Sequence, residues 1–218
     1  DAAFDNLDDG GSQRGHYLLL CDPLMLEGGD TLCAFSVLEW TSNKIRRKVR
    51  STLSAEGYSM GECVEAVEYV RLLLAEMYDP EFCVKQREEI AARRPAAVVT
   101  DARSLYDNLQ KENGMVKDRR LRIEMNIIRE TENLQVFWIK SEQMLADHLT
   151  KEASSEVAEY VQKVSASGKW CLGNDTRAPP SRRGRALEQP QQQRAGEDED
   201  MTTLPVSSYE ENDDDKRI

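Results

Sequence analysis

Apolar residues recur every three or four positions over residues 52–78, with Leu53, Met60, Val64, Val67, Leu74 and Met77 along one side, and this spacing predicts one long amphipathic helix. Ahead of it, residues 1–6, 16–21 and 31–40 are short apolar segments that predict three strands. They are separated by DDGGSQRG and by a Pro/Gly-bearing turn over 22–30. Residues 79–95 are charged and fit no single period. Behind Pro95, Ala96 to Val99 form a continuous apolar run, as expected of a strand buried on both faces, and a strand is predicted over 95–100. A helix over 102–111, a turn at Asn113-Gly114, a helix over 117–132 and an apolar strand over 134–140 follow. A last helix begins within 142–151 and runs to about residue 164. The order β-β-β-α-β-α-β-α predicts an α/β fold whose core is a five-stranded mixed sheet, three antiparallel strands followed by βα units, flanked by helices. Trp40 and Trp138 fall in predicted strands and are expected in the core.

Composition adds a boundary. The chain has 218 residues, 39% hydrophobic and 32% charged, which is too polar for uniform packing. Beyond Gly173 the aliphatic periodicity stops and PP, QPQQQ and EDED runs begin. Residues 175–218 carry 11 acidic and 7 basic side chains, a net −4 that leaves −7 of the total −11 to the rest. The prediction is one domain over 1–172 and a disordered acidic tail over 173–218. Net negative charge argues against non-specific nucleic-acid binding except where basic residues cluster. Five cysteines without C-x-x-C spacing predict reduced thiols rather than a zinc site or a disulfide framework, hence an intracellular setting. The apolar run at Tyr17 to Cys21 is too short for a membrane span.

Four carboxylates stand at unusual places. Asp101 ends a predicted buried strand, where ligands bind in open α/β sheets, although Asp is equally a favoured helix N-cap. Glu56 lies within the inward stripe of the long helix, where an ionised carboxylate is costly unless paired or bound to metal; escape to solvent in the first turns is the alternative. Gly57 and Gly61 beside it thin the helix. Asp147 lies three residues after Met144 on a short amphipathic pattern that also fits a solvated charge, and Asp1 opens the first strand pattern.

Collinear blocks then carry a resemblance: DAAFDNLDDGGSQRGHYLLL (1–20), LEWTSNKIRRKVRSTLSAE (38–56), VVTDARSLYDNL (98–109), KDRRLRIEMNIIRE (117–130) and VFWIKSEQMLADHLTK (136–151). In order, they resemble the ribonuclease H region of copia-type LTR-retrotransposon Pol polyproteins, over about residues 1–172. The resemblance implies the ribonuclease H-like fold and a D-E-D-D set of metal-binding catalytic carboxylates at Asp1, Glu56, Asp101 and Asp147, with Asp1 bridging. It also implies an endonuclease that cuts the RNA strand of RNA/DNA hybrids, leaving a 5′-phosphate and a 3′-hydroxyl. Two Mg²⁺ ions, with Mn²⁺ as a substitute, suit that chemistry: they activate water and stabilise the leaving oxygen, and they prefer carboxylate ligands.

The implied partners are the RNA/DNA hybrid and the reverse-transcriptase portion of the same polyprotein, with no membrane, in a cytoplasmic particle or the nucleus. KIRRKVR (44–50) places five cations in seven residues just before Glu56, and Lys117, Arg119, Arg120 and Arg122 form a second cluster. Lys44, Arg46, Arg47, Lys48, Lys117, Arg119 and Arg120 are the expected phosphate contacts, with Ser12, Gln13 and Asn108 reaching sugars. His16 and His148 are expected to be structural rather than general bases. Family members carry strand residues ahead of the first aspartate, so the first strand is expected to extend upstream of Asp1. The alternative is a truncated, non-catalytic nucleic-acid or protein interaction remnant of such an element.

Overall fold

The computed structural model describes residues 1–111, 116–151 and 155–173; the Asn113-Gly114 turn and the tail beyond Gly173 lie outside the described residues. Helix α1 (Thr52–Tyr78) forms as its spacing predicts. Ser51 caps it, its hydroxyl accepting from the Ser54 amide at 3.2 Å, which satisfies one of the free N–H groups of the first turn. Gly57 and Gly61 face helix α4 (Arg119–Glu130), where a Cβ would meet the Leu121 and Glu124 side chains. Asp118 caps α4 by accepting from the Arg120 and Leu121 amides, and also accepts from Ser54 Oγ at 3.2 Å. One side chain thus starts one helix and ties it to the first turn of the other.

The strands are β1 (Ala2–Ala3), β2 (Gln13–Cys21), β3 (Cys33–Lys44), β4 (Ala96–Thr100), β5 (Leu134–Trp138) and β6 (Lys169–Trp170). Antiparallel ladders give the order β1-β2-β3-β6, while β4 and β5 pair in parallel, from Ala96 opposite Leu134 to Thr100 opposite Trp138. The class is α/β, with antiparallel and parallel strands between helices. The expected single five-stranded sheet is corrected in one respect. With β1 reduced to Ala2–Ala3, no ladder joins β2 to β4 among the described residues, and hydrogen bonding divides the strands into two sheets. Strand β6, at the edge of β3, was not legible in the pattern.

Period-two alternation splits the core between two faces. On one, Val98 and Val136 meet Met60, Val64, Leu105, Leu121 and Met125, contributed by α1, α4 and helix α3 (Arg103–Gln110). On the other, Ala97, Val99 and Phe137 meet Met144, Leu145, Trp170 and Leu172, with Val164 from helix α5 (Ser155–Ser167). The ambiguous stretch 79–95 contains helix α2 (Arg87–Ala92), whose Ile90 and Ala91 pack on Ala75 of α1.

Two expectations need correction. Trp40 is 63% exposed on β3, not core. The last helix does not begin at residue 142: Met144, Leu145 and Ala146 are all buried, which a one-faced helix cannot arrange, and Asp147–Leu149 form a short 3-10 turn. Side chains take carbonyls that a helix would use: His148 Nδ1–H donates to Leu145 O at 2.6 Å, and the Thr150 hydroxyl shares its one proton between Asp147 O, at 3.1 Å, and the Asp1 carboxylate.

Candidate metal centre

Three aspartates distant in sequence converge. Asp1 directly precedes β1, Asp101 directly follows β4, and Asp147 opens the 3-10 turn after β5. One carboxylate oxygen from each lies within 4.8 Å of the others. Asp101 does not cap α3. The cap position is Ala102, which has no side-chain cap bond, and Asp101 Oδ2 instead accepts from Ser141 Oγ at 2.7 Å. Asp101 is held at its backbone too, by Trp138 Nε1–H donating to its carbonyl at 2.9 Å.

Asp1 is the most enclosed of the three, its side chain only 1% exposed. Its Oδ2 accepts from Thr150 Oγ1, while Oδ1 is buried without a hydrogen-bond partner. A desolvated carboxylate oxygen with no donor is costly unless a cation reaches it. The Lys151 ammonium is bonded to Asp147 Oδ1 and lies 3.8 Å from Asp1 Oδ1. Three clustered carboxylates, one orphaned oxygen and a lysine drawn between two of them form a donor set that fits a hard divalent cation such as Mg²⁺ or Mn²⁺.

Glu56 stands outside that triad but beside it. It is 7% exposed on the first turns of α1. Burial, first, and then the Asp101 charge push its carboxyl up to about 7, against the opposing pull of the Asp1 ammonium, the Ala2 amide and Lys151. The inward position expected from the helical stripe is therefore the one it occupies, rather than an escape to solvent.

No family model matches this chain, and neither does any curated protein or solved structure.

The expected substrate contacts divide. Lys44 ends β3 and Arg46, Arg47 and Lys48 follow it ahead of α1, all exposed, and Lys117, Arg119 and Arg120 are exposed at the start of α4. Arg47 reaches Glu124 of α4 at 3.2 Å, so the two basic clusters adjoin, and Glu56 lies roughly 7 Å along α1 from its capped end. Lys44 pairs with Asp9. The polar contacts proposed for sugars are otherwise employed. Ser12 is buried and accepts from the Asp5 amide, and Asn108 donates to Ser104 O within α3. Gln13 donates to Ser42 Oγ and to Leu149 O, tying β2 and β3 to the Asp147 turn.

Both histidines are hydrogen-bonded within the fold, His16 Nδ1 lying 3.3 Å from Thr41 Oγ1. His148 Nε2 accepts from Tyr17 Oη at 2.9 Å while its Nδ1–H is committed to Leu145, and burial lowers the pKa of His16.

Residues missed in the sequence are the ones that aim the carboxylates: Ser141, Thr150, Lys151 and Gly15. Thr150 and Lys151 follow Asp147 by three and four positions, a one-turn spacing that could have signalled them. Gly15 carries no such signal. A Cβ there would lie 2.6 Å from Leu149 Cβ and 3.1 Å from Thr150 Cγ2, so only glycine lets the Asp147 turn rest on β2. Gly15→Ala is expected to destabilise the domain by about 1–3 kcal/mol through overpacking, and to weaken any metal response by displacing Asp147. Chemical denaturation with and without Mg²⁺ measures both; an unchanged midpoint and metal response would free this contact of its assigned role.

Proposed function

We propose that this domain is a metal-dependent endonuclease of the ribonuclease H type, hydrolysing the RNA strand of RNA/DNA hybrids as part of a copia-type Pol polyprotein beside its reverse-transcriptase portion. The observation that carries the reading is the convergence of Asp1, Asp101 and Asp147, with the orphaned Asp1 oxygen among them. Their collinear resemblance to the D-E-D-D set gives the convergence its chemistry.

In this reading Asp1, Asp101 and Asp147 hold Mg²⁺ directly, and Glu56 completes the set from the α1 side. Bound there, divalent cations supply an activated water and charge stabilisation at the scissile phosphate. The chain does the rest. Thr150 and Ser141 each occupy one oxygen of Asp1 and Asp101, which orients the other oxygen of each. Lys151, half exposed and ion-paired with Asp147, balances the carboxylate charge, a role that a bound cation would take over. The adjoining basic clusters at 44–50 and 117–122 bind the phosphate backbone and set the hybrid across the carboxylates.

Incubating the protein with an RNA/DNA hybrid in Mg²⁺ should yield RNA fragments with 5′-phosphate and 3′-hydroxyl ends, and chelation should stop the reaction. Intact RNA in Mg²⁺ at protein concentrations that bind the hybrid would instead make the domain a non-catalytic binding remnant. Neutralising Lys44, Arg46, Arg47 and Lys48 together should weaken hybrid binding and flatten the slope of log K against log salt by roughly 2–3, since fewer counterions are released. An unchanged slope would assign this run to a solvated face.

A further inference from the structure

Arg103 opens α3 two residues after Asp101, and its side chain is 60% exposed. An exposed arginine ordinarily samples many rotamers, but this one is held on three sides. Its guanidinium lies over the ring of Trp138, 4.9 Å from the centroid, and 5.6 Å from that of Tyr106. Its Nε pairs with Asp107 Oδ1 at 2.9 Å, one turn along α3. The platform is itself fixed. Tyr106 is buried, and Trp138, half-buried at the end of β5, donates its Nε1–H to the Asp101 carbonyl. Two links therefore connect the guanidinium to a carboxylate residue of the candidate metal centre.

This hold uses Nε and the flat face of the guanidinium. Neither Nη of Arg103 donates a hydrogen bond among the described residues. The Nη1–Nη2 edge is the fork that meets two oxygens of one phosphate, and the stacked rings fix the plane in which it points. Position separates it from an ordinary surface cation–π pair. Lys44 ends β3 and Trp138 ends β5. The strand orders β1-β2-β3 and β4-β5, with Asp1 ahead of β1 meeting Asp101 behind β4, set these two ends on opposite sides of the carboxylates. The 44–50 run thus stands on one side of the centre and Arg103 on the other. A nucleic-acid strand laid across the carboxylates from the first meets the second.

We propose that Arg103 is a substrate-binding residue, which clamps one backbone phosphate through Nη1 and Nη2 on the side of the carboxylates away from the 44–50 run. Trp138 and Tyr106 are its platform. The inference rests on the hybrid-nuclease reading for its substrate. Two residues of chain span at most about 7 Å, or two nucleotides of duplex rise, so with the reach of the side chain the clamped phosphate lies within roughly three nucleotides of the scissile one. Cationic contacts on both sides of the centre fix the position of the strand over the carboxylates, which a one-sided contact cannot do. The clamp reads no base, so it adds affinity and register without sequence preference.

Comparing the parent with Arg103→Ala and Arg103→Lys tests it, by hybrid binding over a salt series in EDTA and by cleavage in Mg²⁺. Arg103→Ala should weaken binding about tenfold and raise KM by a similar factor, with a smaller change in kcat. It should also flatten the slope of log K against log salt by about 0.9, the loss of one phosphate contact. Arg103→Lys keeps the charge but not the fork, so it should restore the slope and only part of the affinity. Hybrids carrying one neutral methylphosphonate at successive positions of the RNA strand locate the contact. At one position, within roughly three nucleotides of the cut, the substitution should weaken the parent about tenfold and leave Arg103→Ala almost unaffected. Parent values of KM, slope and methylphosphonate profile in Arg103→Ala overturn the proposal, and a lowered Tm beside them assigns the stacked pair to the stability of α3 alone. If the parent binds the hybrid without cutting it, the nuclease reading fails, while the slope and the methylphosphonate profile still decide the clamp. A parent that binds no hybrid overturns both.

Discussion

Replacing Asp101 by asparagine is expected to reduce RNA-strand cleavage by roughly 10³-fold while leaving the fold intact. Asparagine keeps the shape of the side chain and can still accept the Ser141 hydroxyl bond, so the link between β4 and the segment after β5 survives. It removes one of the three charges that meet within 4.8 Å. With metal absent, those charges repel, and the Asp101 charge also raises the Glu56 pKa. The metal-free variant should therefore be as stable as the parent or more stable, by about 1 kcal/mol. A residue whose work was to cap α3 would behave differently, because asparagine caps as well as aspartate and cleavage would be unchanged. Steady-state cleavage alongside thermal melting in EDTA separates these outcomes. Loss of activity together with loss of stability would indicate a structural aspartate.

The second large effect is a pH dependence set by Glu56. Its carboxyl rises from an ordinary 4.5 to about 7 in the folded protein, mainly through burial. The folded state thus binds a proton that the unfolded state releases between those values, and the sign follows: metal-free stability is fully present below about 4.5 and falls as pH climbs to about 7. The loss is on the order of 3 kcal/mol across that window, and Glu56→Gln should remove most of it. Denaturant unfolding of parent and Glu56→Gln at a series of pH values in EDTA checks this. A parent curve that rises with pH, or parallel curves for the two proteins, would place Glu56 in solvent. Divalent cations favour the ionised carboxylates, so they should flatten the parent's decline.

How much was legible beforehand differs by element for physical reasons. Helix α1 emerges from periodicity with the bounds the pattern gives, because one long apolar stripe and a Ser51 cap agree. Strand β4 was equally plain as an apolar run behind Pro95. The Asp147 segment was misread as a helix because its pattern is amphipathic, while the structure buries three residues in a row and lets Thr150 and His148 take the backbone carbonyls. Trp40 was misplaced because strand β3 is exposed over much of its length, which periodicity alone does not reveal. The four carboxylates could be singled out by position along the chain. Their spatial grouping, with Glu56 outside the triad, depended on long-range packing such as the Gly15 contact with Leu149. The same limit hid Lys151, whose importance is visible only beside Asp1 and Asp147.

The metal centre itself is tested most directly by titrating Mn²⁺ into the parent protein and into Asp101→Asn by calorimetry, at a pH above 7 where Glu56 is ionised. The convergence of Asp1, Asp101 and Asp147 predicts saturable binding to the parent that Mg²⁺ displaces, weakened about tenfold or more in the variant. Identical isotherms for the two proteins, or no saturable binding to the parent, would contradict it.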